Sequence, residues 1–243
     1  MSELNKGVYV ALITPFDEDE SIDFRSLDRL IYLIYKNKVD GLFVNGTTAE
    51  FPHLSFDERV ELIKYVSKRF KRSIIVNLSD SSTKKVIDNI NSLKGIKGIS
   101  AVSALIPYLY KVNQAQILNF YSVIEKNSFL PVFVYNNPAI TNGKIEIESM
   151  KKILMYENIA GIKDSSKNVP WYEGIKEFVS DKIYLSGGDG EILNYLKNGS
   201  NGTISTIGNI IPGTVKELYD TYNNNYVNEA SVFQDKIKKI RKI

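Results

Sequence analysis

Short apolar runs alternate with amphipathic segments along this chain, and the alternation constrains the fold more than any other feature of the sequence. Each run is rich in Val, Ile, Leu and Phe, and a segment with the periodicity of a surface helix follows it. The runs lie at 8–15, 41–46, 73–78, 98–107, 131–138, 158–166, 183–190 and 202–209. They do not alternate polar and apolar residues, which is typical of parallel strands covered on both faces. The sequence therefore predicts eight strand-helix units.

Eight units divide the 243 residues into segments of about 30 residues, the usual length of a βαβ repeat. A closed (β/α)8 barrel of typically ~250 residues accommodates them. An open doubly wound sheet would place a G-x-G-x-x-G turn after the first strand, where the chain reads ITPFDEDESID. We therefore predict an α/β fold of the TIM-barrel type over residues 1–222. Residues 223–243 should form a short C-terminal helical extension, because the isoleucines of DKIKKIRKI are spaced to give one apolar face.

The composition excludes several classes of function. Cysteine is absent and histidine occurs once, as His53, so thiolate catalysis and a multi-histidine zinc site are excluded and a Ser-His-Asp hydrolase would depend on that residue. We interpret His53 as a loop residue. The net charge of +3 gives no support for nucleic-acid binding. No apolar run approaches the ~20 residues that span a bilayer, and no signal pattern opens the chain, so we predict a cytoplasmic protein without membrane contact.

Polar residues at the carboxyl ends of the strands are candidates for a site, because reactive groups of such barrels lie at that face. They are Thr14, Asn45, Thr47, Thr48, Tyr135, Asn136, Lys163, Asp164, Ser186 and Asp189. Lys163 is the one amine among them. A neutral lysine can attack a carbonyl to form a Schiff base, and burial at the end of the IAGI run would lower its pKa. Alternatively, Lys163 extends to solvent or pairs with Asp164.

Two neighbours of this lysine suggest further chemistry. Tyr135 ends the preceding strand, where its phenol could shuttle protons beside Lys163, or simply pack as a half-buried ring. The segment NGTTAEF, residues 45–51, presents two hydroxyls and successive backbone N–H groups. Such a turn suits a carboxylate, although a threonine acting as helix cap would explain it equally well.

Taken in order, the motifs ITPF, GTTAE, VYNNP, GIKDSS and SGGD resemble the pyruvate-dependent class I aldolases and lyases, from about residue 7 to about residue 220. That family includes dihydrodipicolinate synthase, N-acetylneuraminate lyase and 2-keto-3-deoxygluconate aldolase. The resemblance implies that Lys163 forms an imine with pyruvate, that Tyr135 relays a proton and that Thr47 hands protons to Tyr135. It also implies that Thr48 holds the pyruvate carboxylate and that Gly187 and Ile204 line the pyruvate pocket. No metal or other cofactor is expected.

Departures from the motifs indicate which relative this chain resembles. Dihydrodipicolinate synthases carry an arginine after the strand-five proline, where the chain reads PAITNG, and two tyrosines after the strand-four proline, where PYLYK has Leu109 in second place. Tyr108 and Tyr110 are the two candidates to replace the missing tyrosine, and we assign Tyr108 to substrate binding. The combination looks most like archaeal 2-keto-3-deoxygluconate aldolases.

The resemblance thus predicts reversible cleavage of 2-keto-3-deoxygluconate to pyruvate and glyceraldehyde, a reaction of Entner-Doudoroff carbohydrate metabolism. The non-phosphorylated substrate should be preferred, because YKVNQ lacks the arginine that relatives using the phosphorylated acid carry after the strand-four aromatics. Partners should be small molecules and further copies of the chain, with a homotetramer favoured. The alternatives are dihydrodipicolinate synthase or another pyruvate-dependent lyase, and a barrel that binds a 2-oxo acid without turnover.

Overall fold

A computed structural model of the protein describes residues 4–242 and contains a closed barrel of eight parallel strands. Each strand pairs with its neighbours in chain order, and β8 pairs with β1. The strands are β1 Gly7–Ala11, β2 Gly41–Val44, β3 Ser73–Asn77, β4 Ala101–Leu105, β5 Val132–Asn136, β6 Ile159–Asp164, β7 Ile183–Ser186 and β8 Gly202–Ser205. The predicted (β/α)8 barrel is confirmed.

Helices follow the strands and cover the outside of the barrel. They are α1 Phe24–Lys36, α2 Phe56–Arg69, α3 Thr83–Asn91, α4 Gln114–Asn127, α5 Ile147–Leu154, α6 Val169–Glu173, α7 Ile192–Lys197 and α8 Pro212–Asn223, with α9 Val227–Ile240 as the C-terminal helix. A side-chain cap begins α1, α2, α3, α4 and α6; at α2 the Ser55 hydroxyl accepts from the Glu58 N–H and the Glu58 carboxylate accepts from the Ser55 N–H.

Two details differ from the sequence prediction. The helix expected after β6 is broken, because Gly174, a poor helix former, separates α6 from a 3₁₀ turn at Lys176–Val179. Helix α8 ends at Asn223, one residue past the predicted end of the barrel. Residues 1–3 and 243 of the two predicted segments lie outside the described residues.

The core has two layers, because successive strand residues face opposite sides of the sheet. One layer lies between the strands and the helices and contains most of the buried aliphatic side chains. The other fills the barrel interior with Tyr9, Ala11, Phe43, Phe51, Ile75, Ala101, Leu105, Phe133, Tyr135, Leu185 and Ile204. Within residues 4–242, no helix has the length and apolar character needed to cross a membrane.

Candidate active site

Lys163 lies near the end of β6 and its side chain enters the barrel. In the sheet it lies between Tyr135 of β5 and Leu185 of β7. Only 4% of the residue is exposed. Nζ lies 3.6 Å from the centroid of the Phe43 ring and 4.1 Å from that of the Tyr135 ring. The amine is therefore enclosed by aromatic walls and does not extend to solvent.

Asp164 follows Lys163 but faces the outer side of the sheet. Its carboxylate accepts hydrogen bonds from the Tyr184 hydroxyl at 2.6 Å and Asn136 Nδ2 at 2.8 Å, and from the N–H and hydroxyl of Ser166, each at 3.0 Å. Within residues 4–242, Lys163 takes part in no ion pair. The alternative in which Asp164 neutralises Lys163 therefore does not describe this structure.

Burial changes the protonation of Lys163. Loss of hydration lowers the pKa of its amine, while the nearby Tyr135 phenol and, more weakly, the Asp189 carboxylate oppose that shift without cancelling it. A larger fraction of the amine is consequently neutral near pH 7 than for a lysine in water. A neutral amine is the form that attacks a carbonyl carbon.

The Tyr135 phenol lies beside this amine. Burial alone would raise the pKa of Tyr135, but the Lys163 charge and the hydrogen bonds of the phenol outweigh burial and hold that pKa below its usual value. The oxygen lies 3.0 Å from Thr47 Oγ1 and 3.4 Å from Asn137 Nδ2. The ring meets Phe43 edge-on, with centroids 5.6 Å apart. The fold thus places Thr47, Tyr135 and Lys163 in one group that can exchange protons.

The segment after β2 forms a 3₁₀ turn at Thr47–Ala49. The amides of Ala49 and Glu50 bond inside the turn, to Gly46 O and Thr47 O, each at 3.0 Å. Among the described hydrogen bonds, the amides of Thr47 and Thr48 have none, so both are free to donate to a ligand. Thr48 Oγ1 lies 3.1 Å from Thr206 Oγ1. A Cβ at Gly46 would lie 2.8 Å from the Phe43 ring, closer than two non-bonded carbons can approach, which explains the glycine.

The remaining predicted residues lie around this group. Ile204 of β8 is buried in the barrel interior. The Gly187 amide donates to Asp164 O at 2.6 Å, and a Cβ there would lie 2.2 Å from Ser165 Oγ, which explains the glycine. His53 ends a 3₁₀ turn, and its exposed ring bonds Glu50 at 3.3 Å and none of these residues.

The tyrosines after β4 do not join the group within this chain. Tyr108 packs its ring against Phe51, with centroids 6.1 Å apart. Leu109 has a φ of +83° and is 71% exposed, and Tyr110 is also exposed. Among the described hydrogen bonds, neither tyrosine contacts Thr47 or Tyr135, and the assignment of Tyr108 to substrate binding stays a prediction.

Three contributors were not predicted from the sequence. Phe43 supplies an aromatic wall over Lys163, and the inward alternation of GLFV could have indicated it. Asn137 bonds the phenol of Tyr135. Asp189 was a strand-end candidate without a role, and its carboxylate accepts from Ser205 Oγ and from the amides of Thr206 and Ile207.

Within residues 4–242 there is no group of three or more His, Cys, Asp or Glu residues placed to hold a metal ion.

Comparison with known proteins relates this geometry to a family. The model of the dihydrodipicolinate synthetase family matches residues 4–243. A 4-hydroxy-tetrahydrodipicolinate synthase of Staphylococcus carnosus is 34% identical over 225 residues, which cover 90% of this chain and 76% of the relative.

Solved structures agree with that match. The dihydrodipicolinate synthase of Aquifex aeolicus superposes with a TM-score of 0.92 at 28% identity, covering 98% of this chain and 82% of the other. The chloride-inhibited dihydrodipicolinate synthase of Acinetobacter baumannii, complexed with pyruvate, gives a TM-score of 0.93 at 26% identity and covers 98% and 83% of the two chains.

Proposed function

The chain belongs to the dihydrodipicolinate synthetase family, and from that premise we propose that it is a pyruvate-dependent class I lyase whose Schiff base forms on Lys163. The observation that supports this assignment most strongly is the buried amine beside a phenol. Lys163 Nζ is desolvated against Phe43 and Tyr135, and the Tyr135 oxygen has a hydroxyl partner in Thr47. Nucleophile and proton carrier are thus already adjacent.

In the proposed reaction, the free pair of Lys163 Nζ attacks the keto carbon of pyruvate and forms a C–N bond. The keto oxygen takes a proton from Tyr135, and the nitrogen gives one to the resulting phenolate, which leaves a carbinolamine and a neutral phenol. That phenol protonates the carbinolamine hydroxyl, which leaves as water, and the electron pair of the nitrogen completes the protonated imine. Thr47 relays a proton from solvent back to the Tyr135 phenolate, because their oxygens are 3.0 Å apart.

The pyruvate carboxylate would lie against the turn after β2. The amides of Thr47 and Thr48 are available as donors there, and the Thr48 hydroxyl can add another hydrogen bond. Gly187 and Ile204 complete the wall of the pyruvate pocket in this proposal. Loss of a methyl proton from the imine then gives an enamine, whose carbon attacks an aldehyde; in reverse, the same imine accepts the electron pair when the C–C bond breaks.

The curated relatives support one aldehyde partner. Their product, 4-hydroxy-tetrahydrodipicolinate, divides on addition of one water into pyruvate and an amino-aldehyde that carries a carboxylate, aspartate semialdehyde. The identity of 34% with the Staphylococcus carnosus synthase makes this condensation the first candidate for the chain.

One feature of the sequence favours a second candidate, cleavage of 2-keto-3-deoxygluconate to pyruvate and glyceraldehyde. The loop after β5 contains PAITNG at residues 138–143, with the exposed Ile140 and no arginine to hold the carboxylate of an aldehyde substrate. Glyceraldehyde has no carboxylate and needs no such partner.

Steady-state kinetics with both substrates separates these candidates. Condensation of pyruvate with aspartate semialdehyde should have the higher kcat/KM if the chain is a synthase, and cleavage of 2-keto-3-deoxygluconate if it is a sugar-acid aldolase, with the 6-phosphate used less well. An Ile140→Arg variant should shift the ratio toward the semialdehyde.

Deuterium exchange separates a lyase from a barrel that only binds 2-oxo acids. A protein that forms the enamine exchanges the methyl protons of pyruvate in D2O without any aldehyde, as NMR would show. Absence of exchange, together with absence of turnover, would refute the proposed function.

A further inference from the structure

Helix α9 is tied to the loop after β7 by one buried polar side chain. Gln234 is 5% exposed. Its Nε2 donates to the carbonyl of Asp189 at 2.9 Å, and its Oε1 accepts from the amide of Leu193 at 2.9 Å. A helix held only by packing would have an apolar residue there, because a buried amide is costly unless both its ends are bonded. The Gln234 side chain therefore fixes the position of the loop and not only that of the helix.

The Asp189 side chain extends this contact to the loop after β8. Oδ1 accepts from Ser205 Oγ at 2.6 Å, and Oδ2 accepts from the amides of Thr206 at 3.1 Å and Ile207 at 3.0 Å. Three donors on a nearly buried carboxylate fix the start of that loop.

Thr206 in turn meets the turn after β2. Its hydroxyl lies 3.1 Å from that of Thr48, and Thr48 is the side chain assigned above to the pyruvate carboxylate. A series of three hydrogen bonds, connected through the residues Asp189 and Thr206, therefore leads from Gln234 to Thr48. It joins α9 to three loops at the catalytic face of the barrel.

We propose that Gln234 and Asp189 are positioning residues for pyruvate binding, which makes α9 part of the machinery that places Thr48. This inference rests on the proposed function, because it assumes that Thr48 holds the substrate carboxylate. Asp189 has a second effect on the site, since its negative charge acts on the Lys163 amine. The same carboxylate thus holds the Thr206 loop and favours positive charge on the nitrogen that becomes the imine.

Substitution of Gln234 tests the inference. Gln234→Leu removes both hydrogen bonds, and Gln234→Glu retains the acceptor for the Leu193 amide but no longer donates to the Asp189 carbonyl. Displacement of Thr48 weakens binding of the carboxylate and leaves Lys163 and Tyr135 in place. We expect KM for pyruvate to rise about tenfold in both variants, with kcat changed by less than about threefold. The matched control is Ile237→Val, which removes a buried methyl group from the same helix and should lower Tm without changing KM.

A double-mutant cycle with Thr206→Val tests whether Gln234 affects Thr48 through Thr206. If Gln234 acts through Thr206, the rise in KM caused by Gln234→Leu should largely disappear in the Thr206→Val background. Full additivity of the two effects, or a KM for Gln234→Leu equal to that of Ile237→Val, would overturn the inference.

Amide exchange gives a readout that does not depend on pyruvate chemistry. The Thr206 and Ile207 amides should exchange faster in Gln234→Leu than in Ile237→Val, because they lose a fixed acceptor. If the wild type formed no imine but the two variants still differed in amide exchange, the proposed function would fail, and the conclusion that Gln234 positions the Thr206 loop would stand. Equal exchange in the two variants would overturn that conclusion even in an active enzyme.

Discussion

Tyr135→Phe separates proton transfer from nucleophilic attack. The substitution removes one oxygen and keeps the ring, so the edge-on contact with Phe43 and the wall over Lys163 persist. It deletes the hydrogen bonds with Thr47 at 3.0 Å and Asn137 at 3.4 Å. Tyr135 also opposes the lowering of the Lys163 pKa, so its loss lowers that pKa further and keeps the amine neutral. The variant should therefore retain its nucleophile and lose its proton carrier.

The expected loss follows from the role of the phenol. A positioned general acid and base contributes roughly 10²–10⁴-fold in rate, and each tenfold corresponds to about 1.4 kcal/mol of activation free energy. We therefore expect kcat to fall by that factor, which corresponds to a barrier higher by about 3–5 kcal/mol. Folding should change far less, because the Thr47 hydroxyl is left facing solvent and a net hydrogen bond is worth about 1 kcal/mol.

Tyr222→Phe is the matched control for this prediction. Tyr222 is a partly buried tyrosine of α8 whose hydroxyl donates to Leu196 O at 3.0 Å, outside the site. Its loss should lower the free energy of unfolding by about 1 kcal/mol and leave kcat unchanged. Steady-state rates with pyruvate and each aldehyde, and urea unfolding of both variants, provide the comparison. A Tyr135→Phe enzyme within about threefold of the wild-type kcat would refute the proton relay.

Three further predictions follow from the same geometry. Thr47→Val removes the partner of the Tyr135 phenol, so kcat should fall by roughly 10–100-fold in steady-state assays while borohydride still traps the imine. Lys163→Met should be inactive yet more stable at pH 7 by about 0.5–2 kcal/mol in urea unfolding, since it removes a desolvated amine from an apolar site. Because the folded-state pKa of Lys163 is lowered, the unfolded chain binds this proton more tightly. The free energy of unfolding of the wild type relative to Lys163→Met should therefore rise with pH up to about 10.4. The rate of imine formation should rise with pH and become constant below pH 10.4. A pH profile of that rate with its midpoint at or above about 10.4 would contradict the burial argument.

The strand-helix pattern was sufficient to predict the barrel, because continuous apolar strand runs and amphipathic helices are properties of local sequence. Seven of the eight apolar runs contain a whole strand of the closed sheet, and β1 begins one residue before its run, at Gly7. The runs overstated strand lengths, since apolar residues such as Leu12 and Ile106 continue beyond the strand ends at Ala11 and Leu105 and stay buried. The break at Gly174 was also missed, although glycine within a helical pattern is a warning.

The candidate site was only partly accessible from sequence. Lys163 and Tyr135 were found because strand ends share one face of a barrel, a rule that needs no distances. The contact of Thr48 with Thr206 and the bonds of Gln234 to the Asp189 loop join residues far apart in the chain. No local pattern encodes such pairs, so they emerge only when the barrel closes.

Schiff-base formation on Lys163 is tested most directly by borohydride reduction of the protein in the presence of pyruvate, followed by intact-mass measurement and peptide mapping. We expect one reduced pyruvyl adduct on Lys163, none on the exposed Lys167 of the following loop, and none in Lys163→Met. An unmodified wild-type protein, or an adduct that persists in Lys163→Met, would contradict it.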